Sequence, residues 1–265
     1  MRVNIRYLSL IVFVLPLFTV VISYIVSVRL NLVSFCIPNL DGCTSISRVG
    51  RYEPVKYFFK PSMYLFGVFL LLYWRENFLK LRVLINNNSQ LLLTYIVGTI
   101  SVLFLFLYIF FLGESNIYRF FRQIGIYIYI FFTVVAQLLL AIQYIKLKNE
   151  EHLNYKFVKF KLLLSILLIS FGIIVLPILV TKIESFPEIK NIISWNYFLF
   201  IQIYYLITFF CWKPQSHTLS GVWIRFGSSL YALPPSHDRP TILALLCKTF
   251  CPLSLNLSVF PQMAS

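Results

Sequence analysis

Residues Leu91–Leu112 read LLLTYIVGTISVLFLFLYIFFL, 22 residues without a single charge. A helix needs about 20 predominantly apolar residues to cross the hydrocarbon core of a bilayer. This stretch therefore predicts a transmembrane helix, and its neighbours repeat the pattern. Before it come Tyr7–Val28 and Tyr57–Trp74; after it come Ile124–Ile145, Leu162–Thr181 and Ile193–Trp212. In the second stretch Lys60 and Pro61 interrupt the start. Lysine snorkels to the headgroups, and proline is tolerated in a first helical turn, where its missing N–H has no partner. A re-entrant second segment, leaving five spans, is the alternative. The expected fold is all-α, a polytopic membrane helix bundle of six transmembrane spans.

Composition points the same way. Hydrophobic residues make up 59% of the 265 and charged residues 12%, with mean hydropathy +0.82. Soluble domains carry about 25% charged residues, so lipid is the natural solvent for the apolar excess. The 23 Lys and Arg against 9 acids give +14. These cations lie mainly in short segments between apolar runs, where they meet anionic headgroups. No recognition motif of the known nucleic-acid modules accompanies them. The expected partners are membrane lipids, not nucleic acid. Tyr7–Val28 is too long for a signal-peptide core and lacks a small-x-small cleavage site, so it reads as a first span that is retained.

Orientation follows from basic residues near the spans. Arg2, Arg6, Arg75, Lys80, Arg82, Lys146, Lys148, Lys156, Lys159 and Lys161 fall on one face. Arg29, Arg48, Arg51, Lys56, Lys60, Arg119, Arg122, Lys182 and Lys190 fall on the other, a balance of ten to nine. The dense 146–161 cluster tips the assignment toward cytosolic termini, with Asn31–Lys60 outside or lumenal. The spans read as nearly free of ionisable residues at depth, which argues against proton coupling. Gln137 and Gln202 sit near the middle of spans four and six. They either line a polar path or, by preference, make an interhelical hydrogen bond.

The loop Asn31–Lys60, NLVSFCIPNLDGCTSISRVGRYEPVKYFFK, gathers the most varied polar side chains of the first 212 residues. Cys36 and Cys43 flank Pro38, Asn39, Asp41 and Gly42, a turn-prone run. The spacing leaves a disulfide and two free thiols both open. Further on, Ile46-Ser47-Arg48-Val49-Gly50-Arg51-Tyr52-Glu53-Pro54 forms a turn-rich, membrane-proximal segment.

This I-S-x-x-G-x-x-x-P pattern, in the first outer loop of a six-span chain, resembles the DRAM/FRAG/SFK superfamily. That group contains autophagy modulators of lysosomal membranes, lipid-remodelling factors for GPI anchors and yeast plasma-membrane lipid regulators. The similarity covers residues 1–212 by span count and loop order. It extends to the short outer loop Gly113–Gln123 and the last span's Trp195. Members commonly place an acid where this chain has Arg48, and Glu before the tryptophan where it has Ser194. The resemblance implies a non-enzymatic protein of membrane lipid organisation or trafficking, in an endomembrane, a lysosomal membrane or the plasma membrane. The candidate functional loop residues are Ser45, Ser47, Arg48, Gly50, Arg51 and Pro54. Arg48 and Arg51 present planar donor forks suited to headgroup phosphates.

Two other function classes stand beside this one. A small-molecule or lipid transporter, or a channel subunit, needs a wet path, hinted at only by Gln137, Gln202 and scattered hydroxyls. A lipid-modifying enzyme needs an acid–base set, and none of the recognised catalytic motifs occurs. No cofactor or metal site is expected; Cys247 and Cys251 with His217 and His237 lack zinc spacing. Cys211, at a membrane boundary, is a palmitoylation candidate, although an unmodified thiol is preferred. Residues 213–265 lack a helical period and hold six of the twelve prolines. They read as an irregular tail, either native or foreign to the six-span domain of residues 1–212.

Overall fold

A computed structural model describes residues 4–85, 88–114, 116–147, 153–180 and 187–213. The expected tail lies outside these apart from Lys213. Among the described residues there is no strand, only an isolated bridge between Leu153 and Trp212. Six long helices are apolar enough to span a membrane: α1 (Ile5–Arg29), α4 (Val55–Leu84), α5 (Asn88–Phe110), α6 (Arg119–Lys146), α7 (Tyr155–Val180) and α8 (Pro187–Cys211). Two single-turn helices, α2 (Pro38–Asp41) and α3 (Ile46–Val49), lie between α1 and α4. The chain is an all-α, multi-pass integral membrane protein.

The second span is a continuous 30-residue helix, about 45 Å long at 1.5 Å per residue. It carries Pro61 and runs ten residues past Trp74 to Leu84. Nothing in α4 turns back, so the re-entrant alternative does not hold.

Helix packing is inside-out relative to a soluble bundle. On α1 the buried positions are Ile5, Leu8, Ser9, Val12, Pro16, Thr19, Val20, Ser23 and Ser27. The exposed ones include Tyr7, Ile11, Val14, Phe18, Val21 and Ile25. Both sets recur every three to four residues, marking two faces of one helix. Large apolar side chains face lipid, while small and hydroxylated ones let neighbouring backbones approach. Gly125 of α6 shows the approach directly. A Cβ there would stand 3.0 Å from the Tyr108 nitrogen of α5.

Successive helices pack side by side in the order α1, α4, α5, α6, α7, α8, and α8 returns to α1. The ring is filled by aromatic side chains, with Phe66, Tyr73, Trp74, Tyr144, Tyr204 and Tyr205 fully buried. Two faces result. On one, Arg6 Nε donates to Phe209 O and Asn154 N to Cys211 O. This terminal face gathers the chain's described ends. On the other, α2 and α3 cover α8 as a cap.

Three basic residues read as loop charges sit elsewhere. Lys161 lies inside α7 and is wholly buried, Arg122 lies in the first turn of α6 at 6% exposure, and Lys80 covers the Trp212 ring at 3.3 Å. Lys161, read as a flanking charge, thus lies buried within a spanning helix. Alternation of apolar and basic segments marks a loop only when the cation lies beyond the helix end. Here α6 and α7 begin several residues before their apolar cores.

Candidate functional site

The cap is built from its disulfide outward. Cys36 and Cys43 are bonded, with Cα atoms 6.5 Å apart. Within the bridge, the Asp41 carboxylate accepts from Ile37 N at 2.8 Å, at the start of α2. Gly42 then turns the chain at φ +65°, where a side chain is strained and a Cβ would collide with the Glu188 carbonyl. Tyr24 of α1 grips the same loop, donating to Cys36 O at 2.6 Å and accepting from Cys36 N at 3.0 Å.

Helix α8 reads the cap's carbonyls. Asn191 Nδ2 donates to Gly42 O (2.7 Å), Trp195 Nε1 to Thr44 O (2.8 Å) and Asn196 Nδ2 to Asn39 O (2.9 Å). The spacing i, i+4 sets Asn191 and Trp195 on one helix face, and Asn196 reaches the cap from its flank. The Tyr24 ring meets Trp195 edge-on at 6.1 Å, so α1 and α8 hold the cap from two sides. Ser27 of α1 adds a bond to Val49 O.

Within the candidate loop residues the roles separate. Ser45 is the N-cap of α3, accepting from Arg48 N at 3.2 Å, and its hydroxyl lies 3.3 Å from that of Ser47. Such a cap satisfies a backbone donor that the helix cannot. Gly50 is buried, and a Cβ there would stand 2.7 Å from the Phe59 ring. Pro54 caps the start of α4 at the surface, after a cis Glu53–Pro54 bond. Arg48 is exposed.

Arg51 is half-buried, and its carbonyl lies close to Gly113. Among the described residues its Nε has no hydrogen-bond partner. The sequence reading counted Arg122 as a loop charge; the fold buries it in the first turn of α6.

One acid on this face is tied to two lysines. Glu114 sits 3.3 Å from Lys60 Nζ and 3.6 Å from Lys56 Nζ. The Lys60 hydrogen bond, and then the Lys56 charge, hold its carboxyl below the usual range. Lys60 also donates to Phe110 O, which ties α4 to the end of α5. Around the cap, Phe35, Ile37 and Leu40 are 84%, 57% and 70% exposed.

Deeper in the bundle, Gln137 Nε2 donates to Ile201 O at 3.3 Å, and Tyr204 OH donates to Gln137 O at 2.6 Å. Gln137 thus joins α6 to α8. Among the described residues neither amide atom of Gln202 has a hydrogen-bond partner.

Near the terminal face a second network escaped the sequence reading. Lys161 Nζ donates to Thr208 Oγ1 at 2.8 Å and lies 4.3 Å above the rings of both Tyr144 and Tyr204. Tyr144 OH donates to Asn77 Oδ1 (2.6 Å) and accepts from Trp212 Nε1 (3.0 Å). Cys211 is wholly buried beside this group. That burial favours the unmodified thiol over acylation. Cys247, Cys251, His217 and His237 lie outside the described residues. Among the described residues no three His, Cys, Asp or Glu side chains cluster as metal ligands.

No protein-family profile, curated protein sequence or solved structure matches the chain.

Proposed function

We propose that this membrane protein acts in membrane lipid organisation or trafficking, without making or breaking covalent bonds, and works through its cap. The supporting observation is the surface of that cap. Phe35, Ile37, Leu40, Arg29 and Arg48 are all exposed along residues 29–48. Apolar tips flanked by guanidinium groups suit the boundary between acyl chains and phosphates. The I-S-x-x-G-x-x-x-P resemblance to the DRAM/FRAG/SFK superfamily supports the same reading. We propose a cytosolic terminal face because Lys146, Lys156 and Lys159 lie at the ends of α6 and α7 there.

The deciding experiment is a lipidomic comparison of cells with and without the protein. Altered lipid levels or leaflet distribution are expected, and a chain carrying Phe35→Asp and Leu40→Asp should insert yet behave as the deletion. Unchanged lipids would overturn the proposal. A second reading, transport, is favoured by the buried amide of Gln202, which has no hydrogen-bond partner among the described residues of the bundle. Solute or lipid flux in liposomes holding the purified chain, abolished by Gln202→Leu, would select it.

A further inference from the structure

We propose that Cys36 and Cys43 form a reversible thiol–disulfide exchange site, opened on the cap by a small thiol of the glutathione class and closed again without unfolding. The site goes beyond the lipid reading and does not depend on it.

The cap is docked by contacts that do not use the sulfurs. Asn191 Nδ2 and Trp195 Nε1 of α8 hold Gly42 O and Thr44 O, the carbonyls of the residues on either side of Cys43. The Tyr24 hydroxyl of α1 holds Cys36 through its own carbonyl and amide, at 2.6 and 3.0 Å. Between the two cysteines, Asn196 holds Asn39 O and the Asp41 carboxylate holds Ile37 N. Opening the bond therefore leaves both cysteine backbones anchored to spanning helices. Their Cα atoms stay near the observed 6.5 Å, within the reach of a disulfide. The bond spans seven positions, a short loop whose closure removes little chain entropy, so the bond itself contributes less to stability than one closing a long loop.

Both sulfurs also have a partner suited to the reduced state. Cys43 Sγ lies 3.9 Å from Ser34 O. A carbonyl can accept only from S–H, and a disulfide sulfur carries no proton, so this contact becomes a hydrogen bond only when the bond is open. Cys36 Sγ lies 4.0 Å from Tyr24 OH, a donor able to turn toward a thiolate. Both cysteines are half-buried, within reach of a small thiol, whereas Cys211 is wholly buried.

The exchange balances as follows. A thiolate of the reductant attacks Cys43 Sγ and forms a mixed disulfide there. The Cys36–Cys43 bond breaks, and Cys36 leaves with the electron pair as a thiolate facing Tyr24 OH, then takes a proton from solvent. A second reductant thiolate attacks the reductant's sulfur in the mixed disulfide and releases Cys43, which is protonated and donates to Ser34 O. The protein gains two electrons and two protons, and two reductant thiols become one disulfide. The partner at Cys36 makes it the better leaving group, which directs attack to Cys43.

The test uses the full chain in phosphatidylcholine nanodiscs, without denaturant, in glutathione buffers of stepped reduced-to-oxidised ratio. Acid quenching and maleimide labelling read the open thiols as a mass shift, with the Cys36→Ser/Cys43→Ser chain as baseline. Wild type should gain two adducts over that baseline within the range glutathione sets, and lose both when the ratio is reversed. Disulfides that serve structure alone resist this pool. Proteolysis within residues 31–54 should run at the same rate in the open, closed and double-serine proteins. A bond that opens only after denaturant is added overturns the site. Opening that speeds cleavage of the cap, or fails to reverse, overturns it as well. If the double-serine chain fails to insert, wild type labelled before and after reduction still decides.

Discussion

Replacing Gly50 by alanine adds one carbon at a place where the fold has no room for it. The added Cβ would lie 2.7 Å from Phe59 Cγ and Cδ1 and 2.9 Å from Cδ2. Comfortable carbon–carbon contact begins at about 3.5 Å, so the ring must move by roughly 0.8 Å. Phe59 is wholly buried, and native interiors hold few voids to receive it. Overpacking of this kind costs about 1–3 kcal/mol. The backbone does not add to the cost, since Gly50 has φ −82° and ψ 1°, which alanine adopts freely. Alanine also narrows the unfolded ensemble, returning about 0.4–1 kcal/mol. The net expectation is a destabilisation of about 1–2 kcal/mol. The partner variant Phe59→Leu opens a small cavity and should cost on the order of 1 kcal/mol by itself. Combined, the two should compensate, with a coupling of about 1 kcal/mol or more. Denaturant unfolding in mild micelles for the four proteins of this double-mutant cycle measures that coupling. Strict additivity, or a Gly50→Ala protein as stable as wild type, would refute the packing argument. Gly50 would then be a candidate for direct contact with a ligand. If the argument holds, Gly50→Val should lower the amount of folded protein together with its function, because it adds two more methyl groups.

Trp195→Phe should destabilise the cap by about 1–3 kcal/mol by leaving the buried Thr44 carbonyl without its donor; faster proteolysis confined to residues 31–54 is the signature, and unchanged proteolysis would sink it. Lys161→Met should be neutral or stabilising, because the loss of contacts with Thr208 and two tyrosine rings is offset by the removal of a buried unpaired cation; a large drop in melting temperature would show the caged ammonium to be a fastener. The Glu114 carboxyl is held low in the folded protein, so its contribution is present above the unfolded value and is lost as pH falls through the depressed folded one; Glu114→Gln should remove that acid-side loss from a pH series of cap proteolysis, and an unaltered series would exclude the Lys56–Lys60 tie as its cause. Asn87-Asn88-Ser89 and Asn256-Leu257-Ser258 match the glycan acceptor pattern; with a cytosolic terminal face neither is glycosylated, and a glycosidase-sensitive shift abolished by Asn256→Gln would overturn that orientation.

The membrane nature of the chain was legible because bilayer thickness converts directly into a run length. Leu91–Leu112 and its five counterparts needed no tertiary information. The cap's place in the chain was legible as well, since within the first 212 residues only Asn31–Lys60 gathers turn residues, cysteines and charges in one place. The roles inside that loop were not. Ser45 as a helix cap depends on where α3 begins, and Gly50 as a packing glycine depends on Phe59.

Run length and composition are properties of a single segment, so the sequence by itself determined the solvent, the helical class and the candidate loop. Which cations are buried is a property of pairs of helices, and only the tertiary structure decided it. Arg122 read as a loop charge because it precedes an apolar run; it became buried because Gly125 admits the backbone of Tyr108. Lys161 read as one of five cytosolic lysines; it became the centre of an aromatic cage because α6, α7 and α8 bring Tyr144, Tyr204 and Thr208 around it. Long-range contacts of this kind leave no periodic trace in the chain, since the partners lie 17 to 47 residues apart.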